Sequence, residues 1–427
     1  MLITAVILLL FLISLSIPVA AVLGLLALAL SFVYSTMPLH LALADIAWVN
    51  SIEFILVAIP LFIFMGEILL RSGMASKMYE ALSYWIGWLP GGLMHSNIGS
   101  CALFAATSGS SVATAATIST VAIPEIKRRG YNENLFLGSL TSGGTLGILI
   151  PPSINIIIYG LLTDTSVPQL YLAGLIPGVS LAFLFGLTVL IACTIKPSWG
   201  GERVKSSWAD KLGCLKNLIP PIFVFMVVVG SIYLGVATPS EAASLGVVMS
   251  IILTIMSGAF SMNMLKLAAE GTMRSTAMVM LIILAAIFLN FVLGAIGLTQ
   301  SLTAFVAELG FSPIQMMFAI VVFYIVLGCF METLSMLITT APLIAPIVIS
   351  IGYDPVWFGI LLMVLLEMAL LTPPIGINLY VVQGVRRTGS INDVILGTIP
   401  FLFTMMLMVV FLIVWPDIAM WLPSQFQ

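Results

Sequence analysis

Stretches 1–34, 217–236, 275–297 and 394–416 contain no Asp, Glu, Lys or Arg. A hydrocarbon core of about 30 Å needs about 20 consecutive apolar residues to be crossed by a helix. In lipid every backbone polar group must find its partner inside the protein, which leaves helices or closed barrels. Barrel strands alternate apolar and polar residues, whereas these runs are continuous, so a transmembrane β-barrel is excluded. Composition agrees: of 427 residues, 61% are hydrophobic and 7% charged, against about a quarter charged in soluble proteins. A soluble enzyme, a disordered protein and a nucleic-acid binder are excluded with it. The expected class is an all-α polytopic membrane protein.

Little else in the composition points to chemistry. A net charge of −3 implies no polyanionic partner. Cys101, Cys193, Cys214 and Cys329 are scattered and read as small hydrophobes. His40 and His95 stand in no zinc-binding frame, and no Gly-Lys dipeptide offers a Walker A loop. The apolar N-terminal stretch lacks a basic n-region and reads as a retained first helix.

The few basic residues place the loops. Arg71/Lys77, Lys127–Arg129, Lys196–Lys216, Lys266/Arg274 and Arg386/Arg387 should all be cytoplasmic by the positive-inside bias. Segments 1–34 and 53–70 then form an out-and-back pair with Asp45 outside. The stretch at about 91–126 has cytoplasmic flanks at both ends and a small, hydroxylated centre from Ser108 to Thr114, which predicts a re-entrant helical hairpin. A second hairpin is expected at about 313–350, entering from outside between Glu308 and Asp354.

Pro124, Gly130, Tyr131, Phe136, Pro151 and Pro152 recur as Pro346, Gly352, Tyr353, Phe358, Pro373 and Pro374, each pair 222 residues apart. Both copies run hairpin, Pro, Gly-Tyr turn, then a helix broken by Pro-Pro. With opposite flanks they are inverted across the membrane, an arrangement many secondary transporters use. The expected organisation is a first repeat over 1–195 with a broken helix at about 132–163, a cytoplasmic linker at 196–216, and a second repeat over 217–427 with a broken helix at about 356–385.

Two successive prolines remove two amide donors and clash with the preceding turn, so each helix must break. The freed carbonyls suit a hard cation such as sodium, and the hydroxyl-rich hairpin tips supply further oxygens. The first sodium site is therefore expected from Ser108, Gly109, Ser110, Gly143, Thr145 and Gly147. The second is expected from Glu332, Thr333, Ser335, Thr339, Glu367, Thr372 and Gly376. Glu332 and Glu367 are acidic residues within apolar segments, where a charge needs a cavity or a partner. No arginine lies in the hairpins or breaks. An anionic substrate would rely on half-helix amides and on Ser111, Thr114, Pro151, Ser153, Asn155, Thr340 and Asn378. No cofactor is expected beyond sodium as the coupling ion.

The stretches SGSSVATAATISTVAIPEIKRRGY, GGTLGILIPPSINIIIYG, AGLIPG, TPSEAASLG and METLSMLITTAPLIAPIVISIGY…ALLTPPIGINLYVVQG resemble the large membrane (M) subunit of tripartite ATP-independent periplasmic (TRAP) transporters. The likeness extends over essentially the whole chain. It implies an elevator-type, sodium-coupled importer in a bacterial inner membrane, not an enzyme. It also implies two partners: a small four-helix Q-type membrane subunit, expected here as a separate chain, and a soluble periplasmic binding protein. That binding protein would deliver an organic acid, such as a C4-dicarboxylate, sialic acid or another carboxylate.

Three other readings compete. An ion channel would also tolerate re-entrant loops. A sodium/carboxylate symporter would work without a binding protein. An intramembrane hydrolase would need a nucleophile with its base, or metal ligands, and His95 has no evident partner.

Overall fold

The computed structural model describes residues 1–15, 17–204, 206–298, 300–301, 304 and 310–426; Glu308, which was expected to flank the second hairpin, lies outside them. Secondary structure among the described residues is helical apart from one isolated bridge, Tyr131 to Gly200. Six helices are long and apolar enough to span a membrane, or seven if a bent pair counts as one span. The protein is a multi-pass helical membrane protein.

The N-terminal third starts with α1 (Leu2–Ser14) and α2 (Val19–Tyr34), followed by α3 (Leu43–Ser51), α4 (Ala58–Arg71) and α5 (Met74–Ile86). Stretch 1–34 is thus two helices and not one span. Pro18 has no N–H to continue the first helix and stands at the N-cap of α2 with an extended ψ of 137°. Asp45, expected in a loop, sits in the first turn of α3. Glu67 pairs with Arg71 one turn on at 2.8 Å, on α4.

Next come α6 (Leu93–Ser108), α7 (Ser111–Ala122), α8 (Pro124–Arg129), α9 (Glu133–Thr145), α10 (Ile154–Thr163) and α11 (Val167–Ile195). Gly109, at φ +60°, makes the left-handed step between α6 and α7, a conformation that costs glycine little. Ser110 then caps α7 through its hydroxyl, and Asn132 caps α9 through its side-chain amide oxygen, which accepts from the Leu135 amide.

The connecting stretch contains α12 (Trp208–Leu215), which bends by 42° into α13 (Ile219–Tyr233). Then follow α14 (Pro239–Met256), α15 (Met262–Ala295), α16 (Pro313–Gly328), α17 (Thr333–Ser350), α18 (Pro355–Ala369), α19 (Ile377–Arg386), α20 (Ile391–Val414) and α21 (Asp417–Ser424). Glu332 caps α17 and Asp354 caps α18. These two caps stand 222 residues after Ser110 and Asn132.

The connection at 196–216 is stitched to the molecule and does not hang free. Tyr131 Oη accepts from the Leu93 amide at 2.9 Å and donates to the Glu202 carbonyl at 3.2 Å. The Asn132 amide donates to the Trp199 carbonyl and the Glu202 amide to the Arg129 carbonyl. Ser206 Oγ donates to the Tyr84 carbonyl at 2.9 Å. Gly201, at φ +56°, leaves room for the Tyr131 ring, which a Cβ would meet at 2.8 Å.

Helices α9 and α20 make the most intimate pairing across the two halves. The Gly138 backbone rests on the Gly397 carbonyl, and the Gly397 backbone on the Asn134 carbonyl, with no room for a Cβ on either glycine. Small residues allow such an approach between helices in lipid, where packing replaces the hydrophobic effect. At the same end, Arg386 bridges Glu133 of α9 and Asp393 of α20 at 2.9 Å each, with its side chain 5% exposed. Gly138→Leu should therefore force α9 and α20 apart at a cost of about 1–3 kcal/mol, read as a lower thermal midpoint in detergent. The same change at Gly384, which has open space, should leave the midpoint in place.

Candidate functional site: two broken helices and the turns that meet them

The first break runs from Leu146 to Ser153, between α9 and α10. Pro151 and Pro152 have no N–H for the Gly147 and Ile148 carbonyls, and the Pro151–Pro152 bond is cis. Nearly all of this segment is buried, and the turn between α6 and α7 covers it. A Cβ at Gly109 would meet the Pro152 carbonyl oxygen at 2.7 Å. One at Gly147 would meet backbone atoms of Ser110 and Ser111 at 2.9 Å. Gly144 lies equally close to Ala115, and from behind Gly66 of α4 touches the Ser108 backbone. The glycines thus bring backbone onto backbone, as a carbonyl-lined ion site requires.

Within this junction the hydroxyls form a short chain. Ser108 Oγ and Thr114 Oγ1 are 3.0 Å apart, and Thr114 Oγ1 donates to the Ser110 carbonyl at 2.7 Å. Ser111 Oγ crosses to the Thr145 carbonyl at 3.1 Å, joining turn to break. Thr145 Oγ1 is occupied by the Ser142 carbonyl. The structure therefore brings together Ser108, Gly109, Ser110, Ser111, Thr114, Thr145 and Gly147. Gly143 instead packs on Cys101 and Ile98 of α6.

The second break, Leu370–Gly376, is built differently. The Asn378 amide donates to the Leu370 carbonyl at 3.2 Å, and Gly376 N donates to the Thr372 carbonyl. Thr372 Oγ1 bonds back to its own helix at Met368. Gly328, at the end of α16, packs against Ala369 where α18 ends. Pro374, Ile375 and Tyr380 are exposed on an open groove of about 500 Å³ that also takes in Ile377 and Val381.

Among the described residues no hydrogen bond joins Glu332, Thr333, Ser335 and Thr339 to Glu367, Thr372 or Gly376 of the expected second sodium site. Glu332's carboxylate accepts from the Leu334 and Ser335 amides at 3.0 and 3.1 Å and from the hydroxyls of Thr333 and Ser335. It is thereby committed to the first turn of α17, whose exposed amides favour an anion. Glu332, Ser335 and Thr339 line a small cavity of about 70 Å³ with Leu9, Val19, Val22 and Leu23, and no residue of 370–378 takes part in it. Thr340 is turned to Tyr324, at 2.7 Å.

Glu367 stands apart from these. It is 0% exposed, and its carboxylate lies beside the backbone amide of Leu149 in the first break. Asn378 reaches across to the Thr141 carbonyl of α9 at 3.4 Å, so the second break touches the first broken helix. Among the described residues its Oδ1 has no partner, nor do Asn155 Nδ2, Ser153 Oγ and Ser142 Oγ, all buried. Unpaired buried polar atoms are costly in an apolar medium, and so many beside two breaks are what a polar guest would satisfy. Ser142 and the Thr141 carbonyl were not singled out in the sequence, although they immediately precede Gly143 and Gly144. His95 is bonded to the Pro90 carbonyl at 2.8 Å.

Residues 6–418 match the family described as tripartite ATP-independent periplasmic transporter, DctM component. The chain belongs to this family. It is 32% identical over 378 residues to the C4-dicarboxylate TRAP transporter large permease protein DctM of Pseudomonas aeruginosa, covering 88% of this chain and 87% of that one. It is 30% identical to the DctM protein of Rhodobacter capsulatus, covering 95% of each. The sialic acid TRAP transporter large permease protein SiaM of Vibrio cholerae is 28% identical, over 88% of this chain and 87% of that one. The YdaH transporter of Alcanivorax borkumensis shares the fold, with a TM-score of 0.64 at 16% identity over 97% of this chain and 98% of that one. The members compared are transporter permeases, which sets the enzyme reading aside at the level of the family.

Gly147→Val, which would push Ser110 and Ser111 off the first break, should reduce uptake at least ten-fold, about 1.4 kcal/mol or more in the barrier. Gly213→Val, at an open position, should transport normally at equal membrane abundance.

Proposed function

We propose that this chain is the large membrane subunit of a sodium-coupled importer of an organic acid. The observation that carries the proposal is the first junction, where glycines seat a hydroxylated turn against a Pro-Pro break, within a member of the TRAP transporter large permease family. Sodium is cargo in this scheme and enters with the acid. Oxygens of Ser108, Ser110, Thr145 and Gly147 hold one ion. Glu367, Thr372 and the second break supply the next, with Glu332, Thr333, Ser335, Thr339 and Gly376 ordering the second hairpin around it. The acid is taken up by Ser111, Thr114, Ser153, Asn155, Thr340 and Asn378 beside Pro151.

The two halves are read as inverted repeats, supported by helix caps that recur 222 residues apart at Ser110/Glu332 and Asn132/Asp354. Both hairpins and both broken helices move as one transport domain in an elevator mechanism, and the α9–α20 contact with the Arg386 bridge is the kind of joint that would keep it rigid. The open groove lies on the α19 side of the second break, toward Arg386 and Arg387, which the positive-inside bias puts in the cytoplasm. A first sodium more than the acid's charge can neutralise makes the cycle electrogenic, worth about 2.3 kcal/mol per charge per 100 mV.

The partners follow the family. A small membrane subunit docks on the remaining helices, and a periplasmic binding protein delivers the acid in a bacterial inner membrane. A relative from Oleidesulfovibrio alaskensis is named an isethionate TRAP transporter permease protein DctMQ, and this chain covers 62% of its length. The acid's identity is left to the binding protein: relatives are named for C4-dicarboxylate, sialic acid and ectoine.

Proteoliposomes carrying this chain and its small subunit, supplied with the binding protein and a radiolabelled panel of acids, should accumulate one acid only under an inward sodium gradient and without ATP. Sodium leak with no acid uptake would favour a channel, and uptake without the binding protein would favour a simple symporter. Ser110→Ala and Thr372→Ala should each weaken sodium activation while leaving membrane abundance unchanged.

A further inference from the structure

Helix α12 carries a face that nothing in the protein covers. Trp208 and Leu212 are 73% and 63% exposed, and Leu215 and Ile219 continue the same exposed line at the spacing i, i+4, i+7, i+11. Past the 42° bend the line runs on through Ile222, Phe223 and Met226 on α13. An apolar stripe that passes from an eight-residue amphipathic helix into a hydrophobic helix marks the level where chain leaves the acyl region for the headgroups. The opposite side of α12 is anchored, since Trp85 Nε1 donates to the Lys211 carbonyl at 3.0 Å.

Charge surrounds this stripe. Lys211 lies 5.2 Å over the Trp208 ring, and Lys216 and Arg203 are exposed at either end of the helix. Lys77 on α5 adds another exposed base, while the exposed acids Glu80 on α5, which faces Cys214 of α12, and Glu202, beside Arg203, offset part of this charge. The acid on α12, Asp210, is spent on the capping box with Ser207. Exposed Trp88 and the Lys196–Trp199 pair complete a belt of aromatic and basic side chains, the usual signature of a membrane interface.

We propose that α12 with its flanking bases is a binding surface for the anionic headgroups of the cytoplasmic leaflet. The hydrogen-bonded connection from Trp199 to Ser206 joins this surface to Tyr131 and Asn132 and to Tyr84 at the end of α5. Trp208, Leu212 and Leu215 enter the acyl boundary, while Lys211, Lys216 and Arg203 meet lipid phosphates. Attraction of basic residues to an anionic leaflet is strong enough for each base to change occupancy about five-fold. The proposal stands on α12 alone and does not depend on which ion the transporter uses.

Amide hydrogen exchange of the full chain in nanodiscs tests it. The bilayers would be phosphatidylcholine alone or mixed with phosphatidylglycerol, with the small subunit absent or present. Residues 206–216 should exchange several-fold more slowly in the anionic bilayer, and Lys211→Gln with Lys216→Gln should abolish that difference while α9 stays equally protected. Equal exchange in both lipids would overturn the proposal. Protection that appears only with the small subunit, in either lipid, would also overturn it by assigning the face to that subunit.

Discussion

A backbone carbonyl without a donor is tolerable in water and expensive in lipid. This chain interrupts two membrane-depth helices with Pro-Pro pairs, and much of the surrounding structure follows from that expense. The first break is closed by a turn pressed against it, with Gly109, Gly144 and Gly147 removing the side chains that would hold the two apart. The second break is partly self-satisfied through Gly376 and Asn378 and partly open to a groove. The two breaks are chemically alike in sequence and physically unlike in the structure.

Rigidity around these openings comes from contacts between distant segments. Gly138 and Gly397 bring α9 and α20 together, and Arg386 pins the ends of the same helices through Glu133 and Asp393. Asn378 touches α9 at Thr141. These contacts hold the two broken helices and α20 to one another. The connection at 196–216 adds a second tether by hydrogen-bonding the base of the first hairpin to the end of α5.

The helical breaks and the turn at Gly109 pressed on the first of them are legible because each depends on local chemistry. Consecutive prolines must break a helix, and Ser-Gly-Ser-Ser is a turn whatever surrounds it. The 222-residue offset was legible because it carries proline and glycine positions, whose backbone demands are strict. What could not be read depends on which faces meet. Nothing local distinguishes Gly138 and Gly397 from the other glycines among 35, and nothing near Arg386 announces a partner at Glu133. Glu332 was read as an ion ligand from its burial in an apolar segment. The Leu334 and Ser335 amides that hold its carboxylate are a feature of the α17 N-terminus that no local sequence signal reveals. The split of stretch 1–34 was signalled by Pro18 and was outweighed there by the unbroken hydrophobicity.

The account rests most heavily on the first junction being an ion site formed by this chain itself. Equilibrium binding of radioactive sodium to the purified chain, with potassium in large excess and no partner subunit, tests that most directly. The account predicts saturable sodium binding that potassium does not displace. No saturable binding, or equal displacement by potassium, would contradict it.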